Sequence, residues 1–73
     1  MKTRTYYTLV AIDGTPTDSP WGVAFGAYDK ADVEAELEDY RDHGWKKSQL
    51  KIIKTNDTAT AINAAVAALN EAL

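Results

Sequence analysis

The sequence contains no cysteine and only one histidine among its 73 residues. Without cysteine it can form neither a disulfide framework nor a thiolate metal site, and a small domain without such cross-links is best suited to a reducing compartment. No apolar run approaches the roughly 20 residues that a membrane span needs, and no run of signal-peptide length follows Met1. We therefore expect a cytoplasmic protein that has no membrane partner.

The chain is also poor in the groups that catalysis requires. A domain of this length buries only about 60% of the surface that its unfolded chain exposes, which leaves little room for a deep ligand cavity. His43 is the only side chain that could serve as the base of a Ser–His–acid triad, and no glycine-rich phosphate loop is present. We expect no enzymatic activity, no cofactor and no metal.

The pattern of apolar residues predicts three strands, at residues 5–12, 21–28 and 48–55. Only turn-forming residues occupy positions 13–20, which we interpret as a loop. Residues 56–58 can cap an alanine-rich helix that reaches the C-terminus. With a helix between the second and third strands, the order β-β-α-β-α predicts one α+β domain over residues 1–73. We expect a three-stranded antiparallel sheet in the order 2-1-3, with both helices mainly on one face.

The first helix has clear start and stop signals. Asp29 is a favourable N-cap, and His43-Gly44 closes the helix with Gly44 in the left-handed position. Val33, Leu37 and Tyr40 recur at helical spacing and are predicted to face the core. If Gly44 is the left-handed residue, a Schellman ending would bring the side chains of Tyr40 and Trp45 into contact.

Acidic residues are concentrated on this helix, where seven of the eleven acids of the chain lie between positions 29 and 42. Asp32, Glu36 and Asp39 form a row on one flank, and Asp42 faces outward. The pairs Asp32–Glu36 and Glu36–Asp39 are like-charge neighbours that weaken a helix. The charges either keep the protein soluble or bind the basic surface of a protein partner. For the second case we predict a partner-binding surface of Asp32, Glu36, Asp39 and Asp42.

A basic segment follows the acidic helix and supports an alternative function. The stretch from Trp45 to Lys54 holds no acid. The basic face of a small nucleic-acid-binding domain would consist of Trp45, Lys46, Lys47 and Lys51. The pI of about 4.9 and the absence of an RNA-binding signature oppose this interpretation, and lysines on an edge strand also protect against aggregation. A third possibility is a structural homodimer that pairs through a sheet edge or the last helix.

Residues 21–55, about half the chain, carry a family resemblance. A predicted strand ends in Phe25-Gly26 and continues through Tyr28-Asp29 into an acidic helix, and a strand with the Leu-Lys-Ile-Ile run at 50–53 follows. This arrangement resembles that of small proteins of bacterial phages and prophages. The resemblance implies a bacterial setting, in which small acidic proteins without active sites are often inhibitors of host proteins, including anti-CRISPR-like proteins. These shared motifs are structural, so no functional residue is carried over.

Overall fold

The computed structural model describes residues 3–12 and 20–72. Its elements are β1 (Thr5–Ile12), β2 (Trp21–Ala27), α1 (Lys30–Asp42), β3 (Leu50–Asn56) and α2 (Ala59–Glu71), with a short 3₁₀ turn at Lys47–Gln49. The predicted α+β class and the order β-β-α-β-α are confirmed. Ser48, predicted to begin the third strand, lies instead in the 3₁₀ turn. The predicted loop lies outside the described residues from position 13 to position 19.

The three strands form one sheet in the order β2-β1-β3, as predicted. β1 is antiparallel to both neighbours, so that Thr8 stands between Gly26 of β2 and Ile53 of β3. A central strand between two partners presents alternate side chains to the two faces of the sheet. Thr8, Leu9 and Val10 are all buried, at 1%, 0% and 0% exposure, so both faces are covered.

The two helices lie on opposite faces of the sheet, and the prediction that both cover one face is wrong. α1 packs on the Leu9 face, where Leu9, Val33 and Leu50 form the buried core. α2 runs from the end of β3 towards the start of β2, where its Asn70 bonds the Trp21 backbone. It covers the face that holds the buried Thr8 and Val10. The physical reason is that β1 is apolar on both sides and must bury both.

A β-bulge at Ala24 changes which side chains of β2 share a face. Val23 pairs with Val10 and Phe25 pairs with Leu9, which leaves Ala24 as the extra residue. Trp21 and Val23 therefore lie on the α2 face, and Phe25 joins the core beneath α1. Simple alternation along a strand would place these three side chains on one face, and the bulge separates Phe25 from the other two.

The predicted ends of α1 are confirmed in detail. The Asp29 side chain accepts a hydrogen bond from the Ala31 N–H at 3.0 Å and caps the N-terminus. At the other end, the Trp45 N–H donates to the Tyr40 carbonyl at 3.2 Å and the Gly44 N–H donates to the Arg41 carbonyl at 3.0 Å. Gly44 has φ of 100°, and the Tyr40 and Trp45 rings lie 5.6 Å apart. This is a Schellman ending, and it makes α1 a rigid platform with defined ends.

Candidate functional site

The candidate site is the acidic surface of α1, which consists of Asp32, Glu36, Asp39 and Asp42. Asp32, Asp39 and Asp42 are exposed to solvent and Glu36 is half-buried. The inner face of the helix, next to this flank, carries Val33, which is fully buried against the sheet. Because the buried face holds the helix in place, these carboxylates keep a fixed spacing relative to one another.

The described part of the chain does not neutralise this surface. Its one ion pair joins the Arg41 guanidinium to the Glu38 carboxylate at 3.8 Å, and both side chains are largely exposed. A pair of that kind contributes little to stability, and it includes none of the four residues of the acidic surface. Their charge therefore remains directed at solvent.

The other flank of α1 faces β3 across an open groove. This groove has a volume of about 540 Å³. Its apolar lining includes Leu37, Leu50 and Ile52. Its charged lining consists of two acids and four lysines, which are Glu34, Glu38, Lys30, Lys47, Lys51 and Lys54. Because the Glu34 flank of α1 turns towards β3, the acidic surface on the opposite flank turns towards the outer edge of β2.

His43 lies at the C-terminal end of the acidic surface. Its Nδ1 is 2.7 Å from the Asp39 backbone carbonyl oxygen, and that hydrogen bond raises the pKa of His43 above its ordinary 6.5. The negative charge of Asp39 raises the pKa further, and Asp42 adds a smaller effect in the same direction against a small opposing effect of desolvation. The protonated ring is favoured because it donates to a carbonyl at a helix C-terminus.

We predict that Asp39→Asn lowers the pKa of His43 without returning it fully to 6.5, since the substitution removes a charge and keeps the backbone carbonyl. An NMR pH titration of the ring protons checks this unambiguously, because the chain has a single histidine. Glu34→Gln, on the other flank, is the control and should leave the pKa unchanged. A titration curve that Asp39→Asn does not move would contradict the prediction.

The raised pKa of His43 also sets the sign of its effect on folding. A group whose pKa is higher in the folded state stabilises that state below the unfolded pKa, here 6.5. The contribution disappears as the pH rises through the raised folded value. His43 therefore favours folding on the acidic side of neutrality.

Of the predicted basic face, Lys47 and Lys51 both line the groove between α1 and β3, whereas Trp45 and Lys46 do not. Trp45 is half-buried against Tyr40, and the Lys46 backbone N–H is held by the Gln49 side chain at 3.0 Å. Lys47 is exposed in the 3₁₀ turn. The Lys51 ammonium lies 5.6 Å from the centre of the Trp21 ring, on the α2 face of the sheet.

An aromatic and charged cluster at one end of the sheet was missed by sequence reasoning. The Tyr28 hydroxyl donates to Asp57 Oδ2 at 3.0 Å, which raises the pKa of Tyr28 above 10.0. The Arg4 guanidinium lies 4.2 Å above the Tyr28 ring, and Tyr6 meets that ring edge-on at 5.0 Å. These contacts join segments that are distant along the chain, and no local motif indicates them.

No group of three His, Cys, Asp or Glu side chains that could hold a metal occurs within residues 3–12 and 20–72. In the same ranges, no helix is both long and apolar enough to cross a membrane. No family model matches the chain, and comparisons with curated proteins and with solved structures find no match.

Proposed function

We propose that the chain is a non-enzymatic binding module that presents the acidic surface of α1 to a basic surface on a protein partner. The observation that carries the proposal is the charge of this surface, which no ion pair among the described residues offsets. Asp32, Glu36 and Asp39 stand on one flank of a helix whose ends and inner face are held by the rest of the domain.

Stability of the helix does not account for these carboxylates. Each like-charge pair at helical contact spacing, Asp32–Glu36 and Glu36–Asp39, costs about 0.2–0.5 kcal/mol. Among the four acids, only Asp32 lies in the first turn of α1, where the helix dipole favours negative charge. Binding provides a reason for the others, because a fixed array of one sign speeds and orients association with a surface of the opposite sign.

The resemblance to small phage and prophage proteins supports a more specific form of the proposal. In that setting, the module is an inhibitor of a host protein, acts in the bacterial cytoplasm and covers a basic surface that otherwise binds nucleic acid. Proteins with such surfaces carry Lys and Arg side chains arranged to contact phosphates. A rigid row of carboxylates can accept hydrogen bonds from the same side chains.

The test is affinity capture from bacterial lysate with the variant D32K/E36K/D39K, followed by mass spectrometry. The matched control is E34K/E38K/E71K, which changes three acids outside the acidic surface. Both variants raise the formal charge of −3 by six units to +3. We expect the wild type and the control to capture the same protein and the reversed variant to lose it, because only that variant changes the docking surface.

Two outcomes would contradict the proposal. Equal capture by the wild type and the reversed variant would show that the acidic surface takes no part. Equal loss in both variants would show that only net charge matters. Capture of free nucleic acid by the wild type, with a yield that falls steeply with salt, would favour the basic segment in its place.

A further inference from the structure

β2 is an edge strand without any charged residue. Its seven residues, WGVAFGA, lie at one side of the sheet, whereas β3 at the other side carries Lys51 and Lys54. Charged side chains on an edge strand prevent a further strand from adding to it. Of the two edges of the described sheet, β2 is therefore the one without this protection.

Asn70 shows that the outer edge of β2 accepts hydrogen-bonding groups. The Trp21 N–H donates to Asn70 Oδ1 at 2.8 Å, and Asn70 Nδ2 donates to the Trp21 carbonyl at 3.4 Å. The side-chain amide thus makes the two bonds that a neighbouring strand would make. The backbone groups of Trp21 consequently point away from β1.

The backbone N–H and C=O groups of Val23 also point away from β1. In an antiparallel strand, residues whose N–H and C=O point away from the partner recur at every second position. Since the pairing of β2 with β1 is regular from Trp21 to Val23, the backbone groups of Val23 also point outward. Its side chain is 58% exposed and lies on the α2 face. The bulge at Ala24 follows directly, so the regular part of this edge is short.

Charge determines what can occupy the edge. Because Glu34 and Glu38 line the groove towards β3, the acidic surface lies on the β2 side of the α1 face, and Val23 lies on the opposite face of the sheet. If a second copy paired antiparallel through its own β2, about a two-fold axis perpendicular to the sheet, both α1 helices would lie on one side of the joined sheet. Their acidic surfaces would then face each other and repel. In the same position, the acidic surface attracts a strand of another protein that carries basic residues.

We propose that β2 binds an extended partner segment by strand addition, and that this segment alternates basic and apolar residues. Successive side chains of a strand point to opposite faces, so the basic residues meet the acidic surface and the apolar residues contact Val23. Backbone hydrogen bonds give affinity, and the alternation gives specificity. The inference rests on the proposed function, because it names the part of the partner that the acidic surface binds.

The test uses a capped eight-residue peptide of alternating Lys and Val, titrated into ¹⁵N-labelled protein and followed by NMR. We expect chemical-shift changes at residues 22–25 and slower amide exchange at Val23. A peptide of identical sequence that is N-methylated at alternate residues should bind roughly tenfold more weakly, since it cannot form the backbone hydrogen bonds on that edge.

Two protein variants complete the design. Val23→Lys places a charge on the edge and should weaken binding roughly tenfold, while Ala67→Lys adds the same charge on the exposed side of α2 and should have no effect. If N-methylation and Val23→Lys leave the affinity unchanged but D32K/E36K/D39K abolishes binding, the inference of strand addition is wrong and the proposed role of the acidic surface is supported. If D32K/E36K/D39K binds as tightly as the wild type, the proposed function itself fails. No binding of the peptide at about 1 mM would overturn the inference.

Discussion

Replacing Leu9 by alanine is expected to lower the free energy of unfolding by roughly 2–5 kcal/mol. Leu9 has 0% exposure at the centre of β1 and packs with Val33 and Leu50. A domain of this size has a total stability of roughly 4–11 kcal/mol, so one truncation removes a large share of it. Urea unfolding followed by tryptophan fluorescence measures the change, because the chain has two tryptophans.

Val23→Ala is the matched control for Leu9→Ala, because it also shortens an aliphatic side chain on a strand. Val23 is 58% exposed, and we expect its truncation to cost less than about 1 kcal/mol. If Leu9→Ala cost no more than Val23→Ala, Leu9 would not be at the centre of the core.

Replacing Thr8 by valine is expected to raise the free energy of unfolding by about 1–2 kcal/mol. Thr8 is 1% exposed, and its hydroxyl has no hydrogen-bond partner in the described part of the protein. Valine has nearly the same shape and removes the cost of burying an unsatisfied polar group. In a domain of this size, each kcal/mol raises the melting temperature by about 4–8 °C, which calorimetry measures readily.

Thr8→Ser distinguishes the effect of the hydroxyl on stability from the effect of the methyl group. Serine keeps the buried polar atom and deletes a buried methyl, so we expect a lower melting temperature than that of the wild type. A melting temperature that falls with Thr8→Val would indicate that the hydroxyl is hydrogen-bonded in solution and would contradict the prediction.

Much of the fold could be predicted because its signals are local. Asp29 and Gly44 define the ends of α1 through their own side-chain and backbone preferences. The placement of the helices was wrong although Thr8, Leu9 and Val10 carry a usable signal. Three consecutive buried residues in a central strand require cover on both faces. The bulge at Ala24 could not be predicted, since small residues around it hide the change in alternation.

The acidic surface could be predicted because helical periodicity alone puts Asp32, Glu36 and Asp39 on one flank. The basic segment does not follow one such period, because it extends over a 3₁₀ turn and a strand. Strand periodicity turns the Lys51 side chain to the α2 face, while Lys47 lies in the 3₁₀ turn. The exposed edge of β2 depends on the strand order and on Asn70, which is 49 positions from Trp21 in the sequence. Nothing local to either residue indicates that contact.

The central physical claim is that the charge of the acidic surface is available for binding because the fold does not depend on it. The free energy of unfolding of D32K/E36K/D39K, measured in urea at low ionic strength, tests this claim most directly. We predict a value within about 1 kcal/mol of the wild type, since the helix loses one favourable dipole interaction and no ion pair. A loss of more than about 2 kcal/mol would show that these carboxylates stabilise the domain itself and would contradict the claim.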